Sequence, residues 1–175
     1  MKKLVLITGA PGVGKTTTCC TLTKMIQGCA WLDSDWCWMI NPWVPKTSVQ
    51  KQYVEGTFSR ILRGYLENDD INTVLFSWVI NSATMFDLIT EPLKDLDFEL
   101  YKIALVCSTD AHVKRLKSDN RREEQVAAPD SMTSYYHLGA KVIDVSSMSV
   151  ADSALAVLKI IDNTVLINAL CDKGE

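Results

Sequence analysis

Short apolar runs alternate with longer stretches of mixed polarity along this chain of 175 residues. The runs are rich in Val, Ile, Leu and aromatic residues, which is typical of buried strands, and they lie at 3–8, 29–33, 72–80, 98–107 and 141–145. The stretches between them repeat apolar residues near every third or fourth position and predict helices at 15–27, 48–67, 83–94, 110 onward, 131–138 and 150–161. This alternation predicts an α/β fold with a five-stranded parallel sheet and right-handed crossovers.

A glycine-rich segment joins the first predicted strand to the first predicted helix. Gly9, Gly14, Lys15 and Thr16 match G-x-x-x-x-G-K-[ST], which in this strand-to-helix context is typical of a phosphate-binding loop (P-loop). Its glycines allow consecutive N–H groups to turn inward around a phosphate, and the start of the helix adds its positive dipole end. We therefore predict that a nucleotide contacts Gly9, Ala10, Pro11, Gly12, Val13, Gly14, Lys15, Thr16 and Thr17.

Within this loop, two side chains have predicted roles. Lys15 should reach the β- and γ-phosphates, and the Thr16 hydroxyl should bind Mg²⁺. The alternative is a strand-to-helix turn without a ligand, but such a turn needs neither a lysine nor three glycines.

Two acids end the second predicted strand. Asp33 and Asp35 are two residues apart, so in an extended backbone their carboxylates point to the same side, at the edge where open parallel sheets bind ligands. We predict that Asp33 serves Mg²⁺ or its water and that Asp35 orients or deprotonates a phosphate acceptor. The alternative for Asp35 is that it caps the next helix. In the third predicted strand, Ser77 stands where P-loop proteins usually have an acid, and this favours Asp33 for the metal.

The segment after these acids breaks the regular pattern. Trp36, Trp38 and Trp43 either line an acceptor pocket with flat apolar walls or form the core of a small insertion. On the helix that follows, Arg60 and Arg63 are candidates for an anionic acceptor group, although solvated surface arginines are more common.

Composition narrows the class of protein. The length fits one domain with a sizeable core, and 47% of the residues are hydrophobic. A net charge of −3 without a basic run argues against nucleic acid as a partner. The six cysteines show no C-x-x-C spacing and are interpreted as reduced thiols of a cytoplasmic protein. We expect neither a signal peptide nor a membrane span, and either a monomer or a homodimer.

With these motifs, the chain resembles the small P-loop kinases, the group that contains shikimate kinase, gluconate kinase and the nucleoside monophosphate kinases. The resemblance rests on the loop at 9–16, on Asp33-Ser34-Asp35, and on Arg115 and Arg122, which are seven residues apart. It implies one domain over 1–175 with a three-layer fold and sheet order 2-3-1-4-5. It also implies an acceptor region at about 36–68 and a lid at about 119–131.

The same resemblance implies roles for residues in the second half of the chain. Arg115 would stack on the adenine, Arg122 or equally Arg121 would be the catalytic arginine of the lid, and Ser146 and Ser147 would border the adenine. Neither the glycine triplet of shikimate kinases nor the D-G-[FY]-P-R signature of adenylate-type kinases is present, so the resemblance does not name the acceptor.

The predicted function is therefore transfer of the γ-phosphate of ATP, with Mg²⁺, to a small-molecule acceptor, either a nucleoside or nucleotide or a hydroxylated metabolite. One alternative is an ATPase or nucleotide-dependent switch without such an acceptor. Another is a module that binds nucleotide without turnover.

Overall fold

A computed structural model describes residues 1–41, 47–118 and 129–162. Five parallel strands form one sheet, and they are β1 (Lys2–Thr8), β2 (Cys29–Asp33), β3 (Thr73–Ser77), β4 (Phe98–Val106) and β5 (Lys141–Asp144). Their order is β2-β3-β1-β4-β5, which confirms the predicted order. The first strand is therefore central, and its residues Leu4 to Ile7 are fully buried.

Helices connect the strands and form the outer layers. They are α1 (Lys15–Met25), α2 (Ser48–Glu67), α3 (Ala83–Thr90), α4 (Thr109–Ser118), α5 (Pro129–Ser134) and α6 (Val150–Ile161). Helix α1 packs against α6, and α2 packs against α3, so that helices cover both faces of the sheet. None of the helices in the described part of the chain is long and apolar enough to cross a membrane.

A capping box at Thr47 begins α2. The Thr47 hydroxyl accepts a hydrogen bond from the Gln50 N–H at 3.2 Å, and the Gln50 side chain accepts one from the Thr47 N–H at 3.2 Å. Such reciprocal bonds satisfy two N–H groups that have no partner within the helix. The cap of this helix is therefore Thr47 and not Asp35.

Two of the predicted boundaries are wrong for local reasons. The run at 72–80 leaves the sheet after Ser77, because the backbone of Ile80 bonds instead to the Thr8 hydroxyl, at 2.8 and 2.9 Å. The helix predicted over 83–94 ends at Thr90 and continues as a 3₁₀ turn over Glu91–Leu93. The cap of α4 is the Ser108 hydroxyl, which accepts a hydrogen bond from the Ala111 N–H at 3.3 Å.

The strand register brings the predicted functional residues to one edge. Ser77 at the end of β3 is the partner of Ile7 in β1 on one side and of Asp33 in β2 on the other. Because all strands are parallel, the P-loop after β1 and the acids after β2 leave the sheet at the same edge.

Candidate active site

The P-loop occupies the turn between β1 and α1. Gly9 has a φ of 145°, and a Cβ at this position would lie 2.4 Å from the Leu105 carbonyl oxygen of β4, so that only glycine fits. Gly14 is the N-cap of α1 with a φ of 108° and contributes no side-chain cap. The first turn of α1 also contains no acid, which is the arrangement that favours an anion at a helix start.

Helix α4 holds the outer side of the loop. His112 is almost completely buried, and its Nε2 lies 2.8 Å from the Pro11 carbonyl oxygen. Arg115 donates to the Val13 carbonyl at 2.8 Å and, through its other terminal nitrogen, to the carbonyl of Val145 after β5. His112 and Arg115 are one helical turn apart, and together they hold the carbonyls of Pro11 and Val13 on the outer side of the loop.

Lys15 points back along the loop. Its ammonium group donates to the carbonyls of Gly9 at 2.8 Å and Ala10 at 3.1 Å. Its positive charge therefore lies over the concave side of the P-loop, where a phosphate would bind. The neighbouring Thr16 hydroxyl donates to Asp33 Oδ2 at 3.1 Å, which joins the loop to the end of β2.

Asp33 is the centre of a buried hydrogen-bond network. Its Oδ2 accepts from Thr16 and from the Ser77 hydroxyl, the latter at 2.9 Å, and its Oδ1 accepts from the Asp35 N–H at 3.1 Å. The Ser77 oxygen in turn accepts from the Trp31 indole N–H at 2.9 Å. Only 7% of Asp33 is exposed, and Ser77 is fully buried. Trp31 and Ser77 therefore restrict the Asp33 carboxylate to one orientation, toward Thr16.

The Asp33 and Thr16 oxygens fit a magnesium ion. Mg²⁺ prefers oxygen ligands and commonly uses one or two protein groups together with phosphate oxygens and water. A carboxylate oxygen and a hydroxyl that are 3.1 Å apart, beside the P-loop, form such a donor set. Bound there, the ion would neutralise charge on the transferred phosphate.

The thiol of Cys19 on α1 lies beneath this network. Burial, together with the nearby Asp33 carboxylate, strongly raises the pKa of Cys19, so that this thiol stays protonated. It is therefore a packing residue and not a nucleophile. Cys19, Cys20, Cys29, Cys37 and Cys107 are free thiols in the structure, and Cys171 lies outside the described residues.

Asp35 faces an open cleft. The cleft has a volume of about 250 Å³ and is lined by Pro11, Gly12, Gly14, Lys15, Thr16, Thr17, Asp33, Ser34, Asp35, Trp78 and Val79. Asp35 is exposed, whereas Trp78 and Val79, which directly follow β3, are half-buried. One cleft therefore contains the P-loop, the candidate metal oxygens and a solvent-accessible carboxylate.

A second cavity of about 310 Å³ lies on the other side of the P-loop. Its lining includes Arg115, Met148, Ser149 and Val150, together with Gly12 to Gly14. Ser146 and Ser147 are not part of this lining. The Ser146 hydroxyl instead donates to Asp144 and accepts from the Ser108 N–H at 2.8 Å. The hydroxyl and the backbone N–H of Ser146 both donate to Asp144, and these two bonds lower the pKa of its carboxyl group. Arg115 therefore lines this cavity together with Met148, whereas Ser146 and Ser147 do not, and the roles of these residues toward an adenine stay predictions.

The tryptophans after Asp35 do not all face the cleft. Trp36 is about half exposed and packs on Trp31 with ring centroids 4.8 Å apart. Trp38 packs edge-on against the buried Phe58 of α2, at 6.2 Å. Trp43 lies outside the described residues. The indole that does line the cleft is Trp78, which the sequence pattern placed inside a strand.

The two arginines of α2 are engaged elsewhere. Arg63 forms a two-point salt bridge with Asp95, at 2.6 and 2.8 Å, and donates to the Pro92 carbonyl. Arg60 lies over the Tyr53 ring at 5.6 Å and donates to the Thr57 hydroxyl. Neither arginine lines the cleft, so the structure does not support the hypothesis that they bind the acceptor, which stays a prediction.

The predicted lid at 119–131 falls largely outside the described residues, and so do Arg121 and Arg122. Their role stays a prediction.

Sequence reasoning missed Trp31, Ser77, Trp78 and His112 as parts of the site. Ser77 could have been found from sequence, because it is a polar residue at the end of an otherwise apolar strand next to the strand that ends in Asp33. Nothing in the sequence indicated the other three residues.

The fold and the site together define a P-loop nucleotide-binding protein with the architecture of the small P-loop kinases. A family model described as an AAA domain matches residues 5–133, and the chain belongs to this family. No curated protein matches the sequence.

Solved structures share the fold at low sequence identity. The tunicamycin resistance protein of Deinococcus radiodurans has a TM-score of 0.70 and 16% identity over 92% of this chain and 96% of its own. A gluconokinase from Sinorhizobium meliloti 1021 has a TM-score of 0.59 and 14% identity over 95% and 97%. A shikimate kinase from Bacteroides thetaiotaomicron has a TM-score of 0.52 and 13% identity over 91% and 98%.

Proposed function

We propose that the protein is an ATP-dependent phosphotransferase that moves the γ-phosphoryl group of ATP to a hydroxyl of a small molecule. The observation that carries this proposal is the cleft in which Lys15, Thr16, Asp33 and Asp35 meet. Two of the structural neighbours are named as a gluconokinase and a shikimate kinase, which supports the same class of reaction.

In this reaction the acceptor hydroxyl attacks the γ-phosphorus. A new O–P bond forms, the bond between the γ-phosphorus and the β–γ bridging oxygen breaks, and ADP leaves. The hydroxyl proton passes to the Asp35 carboxylate, which is exposed and can release it to water.

The loop side of the cleft holds the nucleotide. The P-loop N–H groups and Lys15 bind the β- and γ-phosphates, and Thr16 with Asp33 supplies the oxygens for Mg²⁺. Arg115 contributes to the cavity that would take the adenosine end. Arg121 and Arg122 are proposed as the arginines that close over the transferred group.

An ATPase or switch without an acceptor is the main alternative, and a binding module without turnover is another. ADP formation with ATP alone, compared with ADP formation in the presence of nucleosides, nucleotides, sugars and aminoglycosides, separates the three. A kinase forms ADP faster with an acceptor, an ATPase is indifferent to it, and a binding module forms no ADP.

The two acids provide the sharper experiment. Asp35→Asn should leave Mg²⁺ and ATP binding unchanged and lower kcat for transfer about a hundredfold to ten-thousandfold, the usual contribution of a general base. Asp33→Asn should raise the Mg²⁺ concentration needed for ATP binding about tenfold or more. Asp87→Asn on the exposed surface of α3 removes the same charge elsewhere and should change neither quantity.

Titrations of ATP binding with Mg²⁺ and measurements of transfer on all three variants decide the roles. Full transfer by Asp35→Asn would exclude Asp35 as the base. If Asp33→Asn and Asp35→Asn had the same effect on Mg²⁺ binding, the proposal that Asp33 binds the metal and Asp35 serves the acceptor would be wrong.

A further inference from the structure

His112 on α4 contacts the P-loop but lines neither of the two cavities beside it. Only 1% of the residue is exposed, and its Nε2 lies 2.8 Å from the Pro11 carbonyl oxygen. A carbonyl oxygen can only accept a hydrogen bond, so Nε2 carries the hydrogen and donates it. Any effect of this imidazole on a bound nucleotide is therefore transmitted through the backbone of Pro11.

The direction of the Pro11 carbonyl determines the direction of the N–H group that follows it. In a trans peptide unit the C=O and N–H bonds point in opposite directions. Because His112 holds the Pro11 carbonyl toward α4, the Gly12 N–H points away from α4, to the concave side of the loop. Gly12 has a φ of 84°, a conformation that glycine adopts without steric cost.

The same arrangement recurs two residues later in the loop. Arg115 donates to the Val13 carbonyl at 2.8 Å, so the Gly14 N–H also points to the concave side, and Gly14 has a φ of 108°. The Val13 N–H is used within the loop, where it donates to the Ala10 carbonyl at 3.2 Å. Backbone N–H groups that converge on one side in this way form an anion-binding nest.

Helix α4 leaves the loop little room on its outer side. A Cβ at Gly12 would lie 2.5 Å from Leu116 Cδ2 and 3.4 Å from His112 Nε2. The helix is itself anchored, because Arg115 also donates to the Val145 carbonyl after β5. The bond from His112 therefore joins the Pro11 peptide unit to a fixed support.

We infer that His112 is a positioning residue for phosphate binding, because its hydrogen bond keeps the Pro11 peptide unit in the orientation that aims the Gly12 N–H at a bound phosphate chain. This inference rests on the proposed function and explains how its nucleotide site is preformed. A preformed loop loses less conformational freedom when the ligand binds. Without the bond, the peptide unit is free to turn its carbonyl oxygen, which repels phosphate, into the site.

The test measures the binding of ADP and AMP to folded variants by calorimetry. His112→Leu removes the donor but keeps an apolar side chain in the buried space, and it should raise the Kd of ADP about tenfold, the order expected for one hydrogen bond to a charged group. The Kd of AMP, which has no β-phosphate, should change by less than about threefold, within the contribution of a weak hydrogen bond. His112→Gln can still donate to the Pro11 carbonyl and should restore most of the affinity for ADP.

Two control variants separate positioning from a loss of stability. Ile89→Ala removes buried apolar atoms from α3, which packs against α2, and should lower Tm without changing the affinity for ADP. His137→Leu makes the same substitution at an exposed histidine and should change neither quantity. Binding is measured at a temperature at which every variant is folded, as judged by its melting curve, and His112→Phe replaces His112→Leu if the latter does not fold.

The outcomes separate the inference from the proposed function. Unchanged affinity for ADP in folded His112→Leu, or equal losses of affinity for ADP and AMP, would overturn the inference. A folded His112→Gln that binds ADP no better than His112→Leu would overturn it as well. If the variants behave as expected but the wild-type protein forms no ADP from ATP with any acceptor, the phosphotransferase is refuted and the role of His112 in phosphate binding stands.

Discussion

The Ser77 hydroxyl links the Trp31 indole N–H to Asp33, the candidate Mg²⁺ ligand, so its removal tests how this ligand is oriented. Ser77→Ala deletes the 2.9 Å bond to Asp33 Oδ2 and leaves the Trp31 indole N–H, also at 2.9 Å, without its acceptor. Asp33 keeps its bonds from Thr16 and from the Asp35 N–H. The carboxylate therefore stays paired but loses one of the three hydrogen bonds that fix its orientation.

The expected magnitude follows from these two losses. A hydrogen bond to a charged group contributes roughly 1.5–3 kcal/mol, and an unsatisfied buried donor costs roughly 1–3 kcal/mol. Trp31 is only half-buried, so water can partly satisfy its N–H, and we expect a total of about 2–3 kcal/mol. For a domain of this length, each kcal/mol lowers Tm by roughly 2–4 °C, so the variant should melt roughly 4–12 °C lower.

The effect on the metal is separate from the effect on stability. Residues that orient a metal ligand typically change metal affinity about tenfold to a hundredfold. Ser77→Ala should therefore weaken Mg²⁺-dependent ATP binding by about this factor at a temperature where the variant is folded. ATP binding without Mg²⁺ should change little, because the P-loop contacts remain.

The assay is a double-mutant cycle with Trp31→Phe, read by urea unfolding and by Mg²⁺ titration of ATP binding. If the network acts as a unit, the two substitutions should be non-additive by about 0.5–3 kcal/mol. Additivity within about 0.5 kcal/mol, together with unchanged Mg²⁺ affinity in Ser77→Ala, would refute the role of Ser77 in orienting Asp33.

Three further predictions concern other parts of the molecule. Lys15→Ala should weaken ATP binding and reduce turnover by orders of magnitude without changing the melting curve greatly, and wild-type turnover would contradict the role of the P-loop. Arg122→Ala should lower kcat more than it weakens ATP binding, since a closing arginine acts on charge in the transition state; unchanged kcat in both Arg122→Ala and Arg121→Ala would remove the lid. The Arg63 guanidinium lowers the pKa of Asp95 from 3.8 to about 2, so stability from this pair is present above pH 4 and is lost as the pH falls toward 2. Acid unfolding of Asp95→Asn should therefore be less steep in this range, and an unchanged slope would show that the pair contributes no stability.

Local sequence determined the elements and the motif that they carry. The strand runs, the helix over 48–67 and the P-loop follow from neighbouring residues, because hydrophobic period and glycine conformation act within a few positions. The placement of Asp33 at the sheet edge also followed from sequence, since a parallel α/β sheet brings its strand ends together. The strand order was implied separately, by the resemblance of the motifs to the small P-loop kinases.

The partners of individual side chains were decided only by the tertiary structure. Arg63 and Asp95 are 32 residues apart, and Trp31 and Ser77 are 46 residues apart, so no local pattern connects them. The apolar run that contains Trp78 continues to Ile80 and therefore predicts a strand. In the structure the Ile80 backbone instead bonds to the Thr8 hydroxyl, so the chain leaves the sheet after Ser77 and Trp78 lines the cleft. Periodicity reports which face of an element is buried, whereas the chemistry of this cleft depends on which distant residues share that face after the sheet has assembled.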